Sequence, residues 1–253
     1  MKSRSKSEMK KTHNTVTGQG SAFSRYRRVI FGPGSLARFF YYEWCQLLAP
    51  IPGALGMVLR KIFWPFMFAS CGRGALFGTG VVVRHPGRIR IGSRVVISEN
   101  CILDGRSAVK DETITLEDNV ILSNNVMLSC KEGRINIGTR TGINAQSIIQ
   151  STNDCPVIIG PDCIIGQQCF IVGGGSYNLE RCDVPICEQG IRPDGGVILK
   201  EDVWLGGRVT VLGGVVMGQG SVAAAGAVVT KSVPAFSVCM GVPARVTRNR
   251  ADA

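Results

Sequence analysis

The sequence is poor in the groups that most catalytic constellations draw on. Its 253 residues include two histidines, His13 and His85, and 18 carboxylates against 29 lysines and arginines. Ten cysteines are present, yet no CxxC pair occurs, and two histidines are too few to complete imidazole–thiolate sets, so a zinc site is not expected. Aromatic residues make up 7% while glycines number 32, a balance that suits a turn-rich β architecture better than a helical bundle. There is no secretory pattern, because the basic start runs into polar residues rather than an apolar core. A spanning helix needs roughly 20 apolar residues. The aromatic segment from Phe39 to Ser70 falls short of that: its longest uncharged stretch, Trp44 to Leu59, contains Pro50 and Pro52. The GGGSY run lacks the Lys-Ser/Thr that would make it a phosphate loop.

What is abundant is positive charge, unevenly spread. The net charge is +11, and the first 28 residues hold Lys2, Arg4, Lys6, Lys10, Lys11, Arg25, Arg27 and Arg28 against Glu8 alone. Such a tail can meet anionic lipid head groups or nucleic acid. It has no interleaved aromatics and no nucleic-acid motif, so a nucleic-acid partner is not expected. Residues 1–22 read as a disordered basic tail. Residues 23–72 read as an apolar helical segment, either a cap on the rest of the domain or a membrane-surface element with Arg60 and Lys61 at head-group level.

From residue 73 onward the chain repeats every six residues. Aliphatic anchors recur at Ile91, Ile97 and Leu103; at Leu116, Leu122 and Leu128; at Ile137, Ile143 and Ile149; at Ile159, Ile165 and Ile171. The longest run is Leu199, Leu205, Val211, Met217, Ala223 and Val229. Four residues after an anchor comes a second small or β-branched residue, such as Val95, Cys101, Val120, Cys163, Val203 or Ala227. An α-helix would scatter such anchors around its surface. A triangular parallel coil aligns them inward, one short strand per side, with the Gly or Asn that follows the anchor turning the corner at φ > 0. Cys163 and Cys169 fall at equivalent repeat positions, which reads as reduced, packed thiols in a cytoplasmic protein rather than a disulfide framework. The repeat breaks at about 104–115, 129–136, 150–158 and, longest, at 172–198, which reads as a projecting loop where a site can be built.

Residues 197–248, VILKEDVWLGGRVTVLGGVVMGQGSVAAAGAVVTKSVPAFSVCMGVPARVTR, resemble the C-terminal signature of the hexapeptide-repeat acyltransferases, in the branch of maltose, galactoside, nodulation-type and polysaccharide-biosynthesis O-acetyltransferases. The resemblance extends more loosely back to residue 73. It implies an all-β solenoid, a left-handed parallel β-helix over 73–253 with an N-terminal helical segment, assembled as a homotrimer. It implies acetyl-CoA or another acyl-CoA as donor, no metal, and a saccharide or glycoconjugate hydroxyl as acceptor. On this sequence the positions matching the CoA site are Trp204, Gly207, Ala225, Thr230, Lys231, Arg245 and Arg248. Small residues admit the pantetheine arm, and cations pair with the phosphates.

The family pattern places a catalytic histidine in the long loop, ahead of a D-x-P-I element. Here Asp183-Val184-Pro185-Ile186 is present, but the histidine position falls at or beside Tyr177. That histidine would take the proton from the acceptor hydroxyl as it attacks the thioester. In its absence the candidate bases are Tyr177, Asp183 and Glu188. His85 reads as a structural residue of the turn RHPG, and Ser176 and Cys182 have no nearby histidine to activate them. The expectation is therefore a CoA-dependent O-acyltransferase with an altered base, cytoplasmic or peripheral on the inner face of a membrane. The alternative is a CoA-binding or scaffold trimer without catalysis.

Overall fold

A computed structural model describes residues 21–107 and 111–252. The tail expected to be disordered lies almost wholly outside the described residues. The repeat winds into a left-handed parallel β-helix of about seven turns. Its first and third sheets have seven strands each, and the second has nine. Neighbouring strands within each sheet are parallel except for the closing hairpin, where Ser237–Gly241 pairs antiparallel with Ala244–Asn249.

Every anchor read from the sequence is buried. They stack in register into three ladders. Ile91, Leu116, Ile137, Ile159, Leu199 and Met217 run through the first sheet. Ile97, Leu122, Ile143, Ile165, Leu205 and Ala223 run through the second. Leu103, Leu128, Ile149, Ile171, Val211 and Val229 run through the third. The small residues four places on fill the space behind the corners. Cys101, Cys163 and Cys169 sit there and donate through Sγ to carbonyls of the following coil, at 3.0, 3.1 and 3.2 Å.

The corners correct one expectation. The left-handed residue is three places after the anchor, not one. It is Arg94, Asn100, Asn119, Asn125, Arg140, Gln146, Asp162, Gln168, Asp202 and Arg208 through most of the prism, and glycine at Gly74 and Gly80 of the first coil and again from Gly214 onward. The glycine directly after an anchor has another task. A Cβ on Gly166 would stand 2.6 Å from the backbone carbon of Gly206, and one on Gly206 would stand 2.6 Å from the backbone nitrogen of Ala225. It is small because the next coil lies on top of it. The left-handed backbone of a non-glycine residue is unfavourable by roughly 1–2 kcal/mol. Here each such turn is tied to the coil before it: Arg140 N donates to Asp118 O at 3.0 Å, and Asp162 N to Thr139 O at 2.9 Å.

The apolar N-terminal segment folds into three helices, α1 (Ala22–Tyr26), α2 (Leu36–Leu47) and α3 (Gly53–Phe63), which cover the first coil. Trp64 and Phe68 pack on Phe77 with ring centroids 5.3 and 5.6 Å apart. The Tyr42 hydroxyl donates to Val83 O at 2.7 Å. Arg60, which one of the two sequence readings put at head-group level, is 1% exposed. Its guanidinium donates to Phe77 O, Leu48 O and Ile51 O at 2.8–2.9 Å. A buried cation is tolerated here because carbonyl dipoles replace its water. The inner sides of these helices pack on the first coil.

His85 is also structural. It is buried at φ 53°, with Nε2 3.0 Å from Arg28 O. Burial lowers its pKa, and Arg88 and Arg106 add to this against Asp104 and the Arg28 carbonyl.

Two predictions follow from this packing. Gly166→Val should destabilise the fold by roughly 1–3 kcal/mol in urea titration. Gly142→Ala, where a Cβ meets nothing within 4 Å, should be neutral. For His85, the folded-state pKa lies below the unfolded value of about 6.5. Above that pH both states are neutral and stability is complete. As pH falls through it the unfolded chain takes up the proton first, so the melting temperature should drop between about pH 7 and 5. The drop should be smaller in His85→Gln.

Candidate active site

The loop expected at 172–198 leaves the third sheet after Phe170–Gly173 and rejoins the first at Val197–Leu199. Its base is pinned by Asp194, whose carboxylate accepts from Gly174 N at 2.9–3.0 Å and Gly196 N at 2.9 Å. Gly214 N of the next coil donates to Gly196 O at 2.6 Å. Beyond the base, Ser176–Tyr177 pairs antiparallel with Ile191–Arg192, and a single helical turn, α4 (Ile186–Gln189), crosses the tip. Asn178 Nδ2 donates to Gln189 O, and Gln189 Nε2 to Val184 O, which ties the tip together.

Tyr177, Asp183 and Glu188 all lie on this loop and are all exposed. Asp183 is paired with Arg181, which holds its carboxyl below the usual carboxylate range. That pairing makes Asp183 a weaker proton acceptor than an ordinary carboxylate. Tyr177 presents its ring from the hairpin, 42% exposed.

The residues matching a CoA site divide between two corners of the prism. Gly207 and Ala225 stand at the corner between the second and third sheets on successive coils, where Gly226 N donates to Gly207 O at 2.9 Å. The column of small residues there begins at Gly166 and ends under the closing hairpin, where Ala224 N donates to Cys239 O. Arg245 pairs with Met240 in that hairpin, and Arg248 with Val238 further along it. Trp204 projects outward from the second sheet beside Ile164 and Val222, 53% exposed. Thr230 and Lys231 follow the last strand of the third sheet, on the same corner as the loop. Two turns of the prism separate them from the loop base, about 10 Å at strand spacing. One chain thus carries Tyr177, Asp183, Glu188, Thr230 and Lys231 at one corner and Gly207, Ala225 and Arg245 at another. The third sheet lies between them.

Sequence reasoning missed two members of this arrangement. Asp194 fixes the loop, and its signal is the Asp-Gly-Gly that precedes the return of the repeat. Arg208, beside Gly207, donates through Nε to Gln168 Oε1 at 2.8 Å, and Gln168 in turn donates to Gln146. These three hold successive left-handed positions of the column, but the repeat marks them only as variable residues. Among the described residues no cluster of histidine, cysteine and carboxylate side chains is arranged to hold a metal ion.

The fold defines a hexapeptide-repeat β-helix protein, and its sequence relatives are acetyltransferases. The chain is 30% identical over 119 residues to a "probable acetyltransferase" of Mycobacterium tuberculosis, covering 47% of this chain and 38% of that protein. It is 36% identical over 98 residues to the "putative lipopolysaccharide biosynthesis O-acetyl transferase WbbJ" of Escherichia coli, covering 36% of this chain and 50% of that one. The matched stretch spans half or less of these relatives' length. A variant of AntD, an N-acyltransferase from Bacillus cereus solved with dTDP and coenzyme A, shares the fold at TM-score 0.51 and 20% identity, over 79% of this chain and 90% of that one. No protein-family model matches the chain.

The loop carries the two cysteines, Cys182 and Cys187, that are exposed, whereas burial pushes the thiols of Cys101 and Cys163 up to about 11. Reactivity follows thiolate access. A maleimide pulse on the native protein should therefore label Cys182 and Cys187 first, and all ten cysteines should react only after denaturation.

Proposed function

We propose that the protein is a CoA-dependent O-acyltransferase that moves an acetyl group directly onto a hydroxyl of a saccharide or glycoconjugate, in a site completed between copies of a homotrimer. The observation that carries this reading is the division of the candidate residues between two corners of one face. Three prisms set around a threefold axis with the third sheet inward bring the loop corner of each copy against the Gly207–Ala225 corner of the next. The outer row of the third sheet suits that position: Ile102, Met127, Ile148 and Phe170 align along it. The corresponding row of the first sheet carries Ser70, Arg90, Thr115 and Asn136 before it turns apolar at Ile158, Ile198 and Val216.

In this arrangement the column of small residues takes the pantetheine arm. Lys231 of one copy and Arg245 of the next approach the donor's phosphates from two sides. Trp204 stands in the cleft outside the joined corners, within reach of the neighbour's loop. The acceptor hydroxyl gives its proton to a loop residue as its oxygen attacks the thioester carbon, and the thiolate of CoA leaves. Tyr177 holds the place of the family's histidine, Glu188 is an unpaired carboxylate of the same loop, and Asp183 is engaged by Arg181. The acetyltransferase relatives support the donor, and the lipopolysaccharide-linked relative supports a saccharide acceptor. A scaffold trimer that binds CoA without transfer is the second reading, favoured by the missing histidine alone.

The test is mass-spectrometric detection of acetylated product from acetyl-CoA and a saccharide panel. One of Tyr177→Phe, Glu188→Gln and Asp183→Asn should lower kcat at least about 100-fold, and Tyr177→His should raise it if the loop aligns with the family pattern. Lys231→Ala and Arg245→Ala should raise KM for acetyl-CoA. Phe170→Glu should convert a trimer to monomer by light scattering and abolish turnover. CoA binding with no product from any acceptor selects the scaffold reading.

A further inference from the structure

The inner sides of α2 and α3 are accounted for by the first coil, but their outer sides are not. On α2 the buried face carries Phe39, Tyr42 and Cys45, whereas Leu36, Phe40, Trp44 and Leu47 point away from the protein at helical spacing. On α3 and the turn after it, Leu55, Val58, Ile62 and Phe66 do the same. Phe40 is 64% exposed and Phe66 73%. The two helices are joined edge to face by Trp44 and Phe63, with centroids 6.3 Å apart. Between them runs an apolar groove of 540 Å³ among Phe31, Tyr41, Phe63, Phe66 and Met67, with Arg38 the one charged residue of its lining. A helix whose second face met water would carry charged residues there.

The charges around this face have one sign. Over residues 21–70 the single carboxylate is Glu43, which accepts from the Tyr26 hydroxyl at 2.9 Å. The cations of this segment are Arg25, Arg27, Arg28, Arg38 and Lys61, since Arg60 is turned into the core. The sequence before Ser21 adds Lys2, Arg4, Lys6, Lys10 and Lys11 against Glu8. No helix among the described residues is long and apolar enough to cross a membrane. Exposed Trp, Phe, Leu and Ile beside Arg and Lys, on helices too short to span, is the composition of an element lying in the head-group plane.

We propose that the outer face of the α2–α3 cap docks on an anionic phospholipid bilayer, with Phe40, Trp44, Ile62 and Phe66 entering the acyl boundary and the basic rim meeting lipid phosphates. This stands on the cap alone and does not need the acyl-transfer reading. Where the homotrimer of that reading forms, parallel prisms carry all three caps at one end, so three faces meet one membrane together and avidity follows. The C-terminal hairpin with Arg245 then points away from the surface.

The test uses the full chain and sucrose-loaded vesicles, with no substrate, so its outcome is separate from any assay of acetyl transfer. The protein should sediment with phosphatidylcholine vesicles containing about 30% phosphatidylglycerol, at least about tenfold more tightly than with phosphatidylcholine alone, and added salt should weaken it. Phe40→Asp with Phe66→Asp should leave the protein in the supernatant while the slow-reacting cysteines stay slow. If that variant does not fold, the unsubstituted protein still decides. Its emission should shift to the blue on anionic vesicles, and that shift should vanish in Trp44→Phe. Failure of the unsubstituted protein to sediment overturns the proposal, as does equal binding by the folded variant or equal binding to neutral vesicles. A doubled assembly mass that the variant abolishes would also overturn it, assigning the face to a second copy.

Discussion

Each coil of this protein is held to the next by parallel backbone hydrogen bonds, and those bonds require the corners to repeat at one height. The side chains obey that demand. The inward ladders of Ile, Leu and Val follow because residues in register must stack on their equivalents. The glycine after the anchor follows because the backbone above passes within contact of its α-carbon. The left-handed turn follows because a short strand must leave the corner at a steep angle. Corner residues with side chains accept that geometry since their N–H groups are fastened to the preceding coil.

The same constraint explains what could be read in the sequence. Anchors and the small residues behind them recur every six places because they face a common interior, so the core was legible nearly residue by residue. The φ > 0 positions were not. Arg94, Arg140 and Arg208 adopt them with no compositional mark, while the glycines directly after the anchors serve coil-to-coil clearance. Arg60 stayed open between two readings for a related reason. A cation on an apolar helix has two possible faces, and only the carbonyls of Phe77, Leu48 and Ile51, brought together by the cap, decide between them. Of the candidate site, the loop boundaries and the Gly207–Ala225 column were legible. That they occupy different corners follows from counting strands per coil through the breaks in the repeat, which a period of six does not supply across 23 loop residues.

The division of the candidate residues between corners shapes how the proposed site can vary. The loop stands on Asp194 and on the glycines of the coil above it, so its tip can change length and composition without disturbing the ladders. A tip without histidine is consistent with that independence, as is the Arg181–Asp183 pair lying wholly outside the prism. The column of small residues has no such freedom, because each member is also a packing requirement of the scaffold.

The two ends of the prism differ in a way that governs its assembly. A β-helix cut cleanly across exposes three unpaired strand edges and the open end of its core, and another copy can extend it indefinitely. Here the first coil is roofed by Tyr42, Trp64 and Phe68, and the second sheet ends in an antiparallel hairpin that reverses strand direction at its edge. That edge of the second sheet offers no parallel template to a further chain. Fibre growth along the axis is therefore opposed by the helical roof at one end and by the reversed edge at the other.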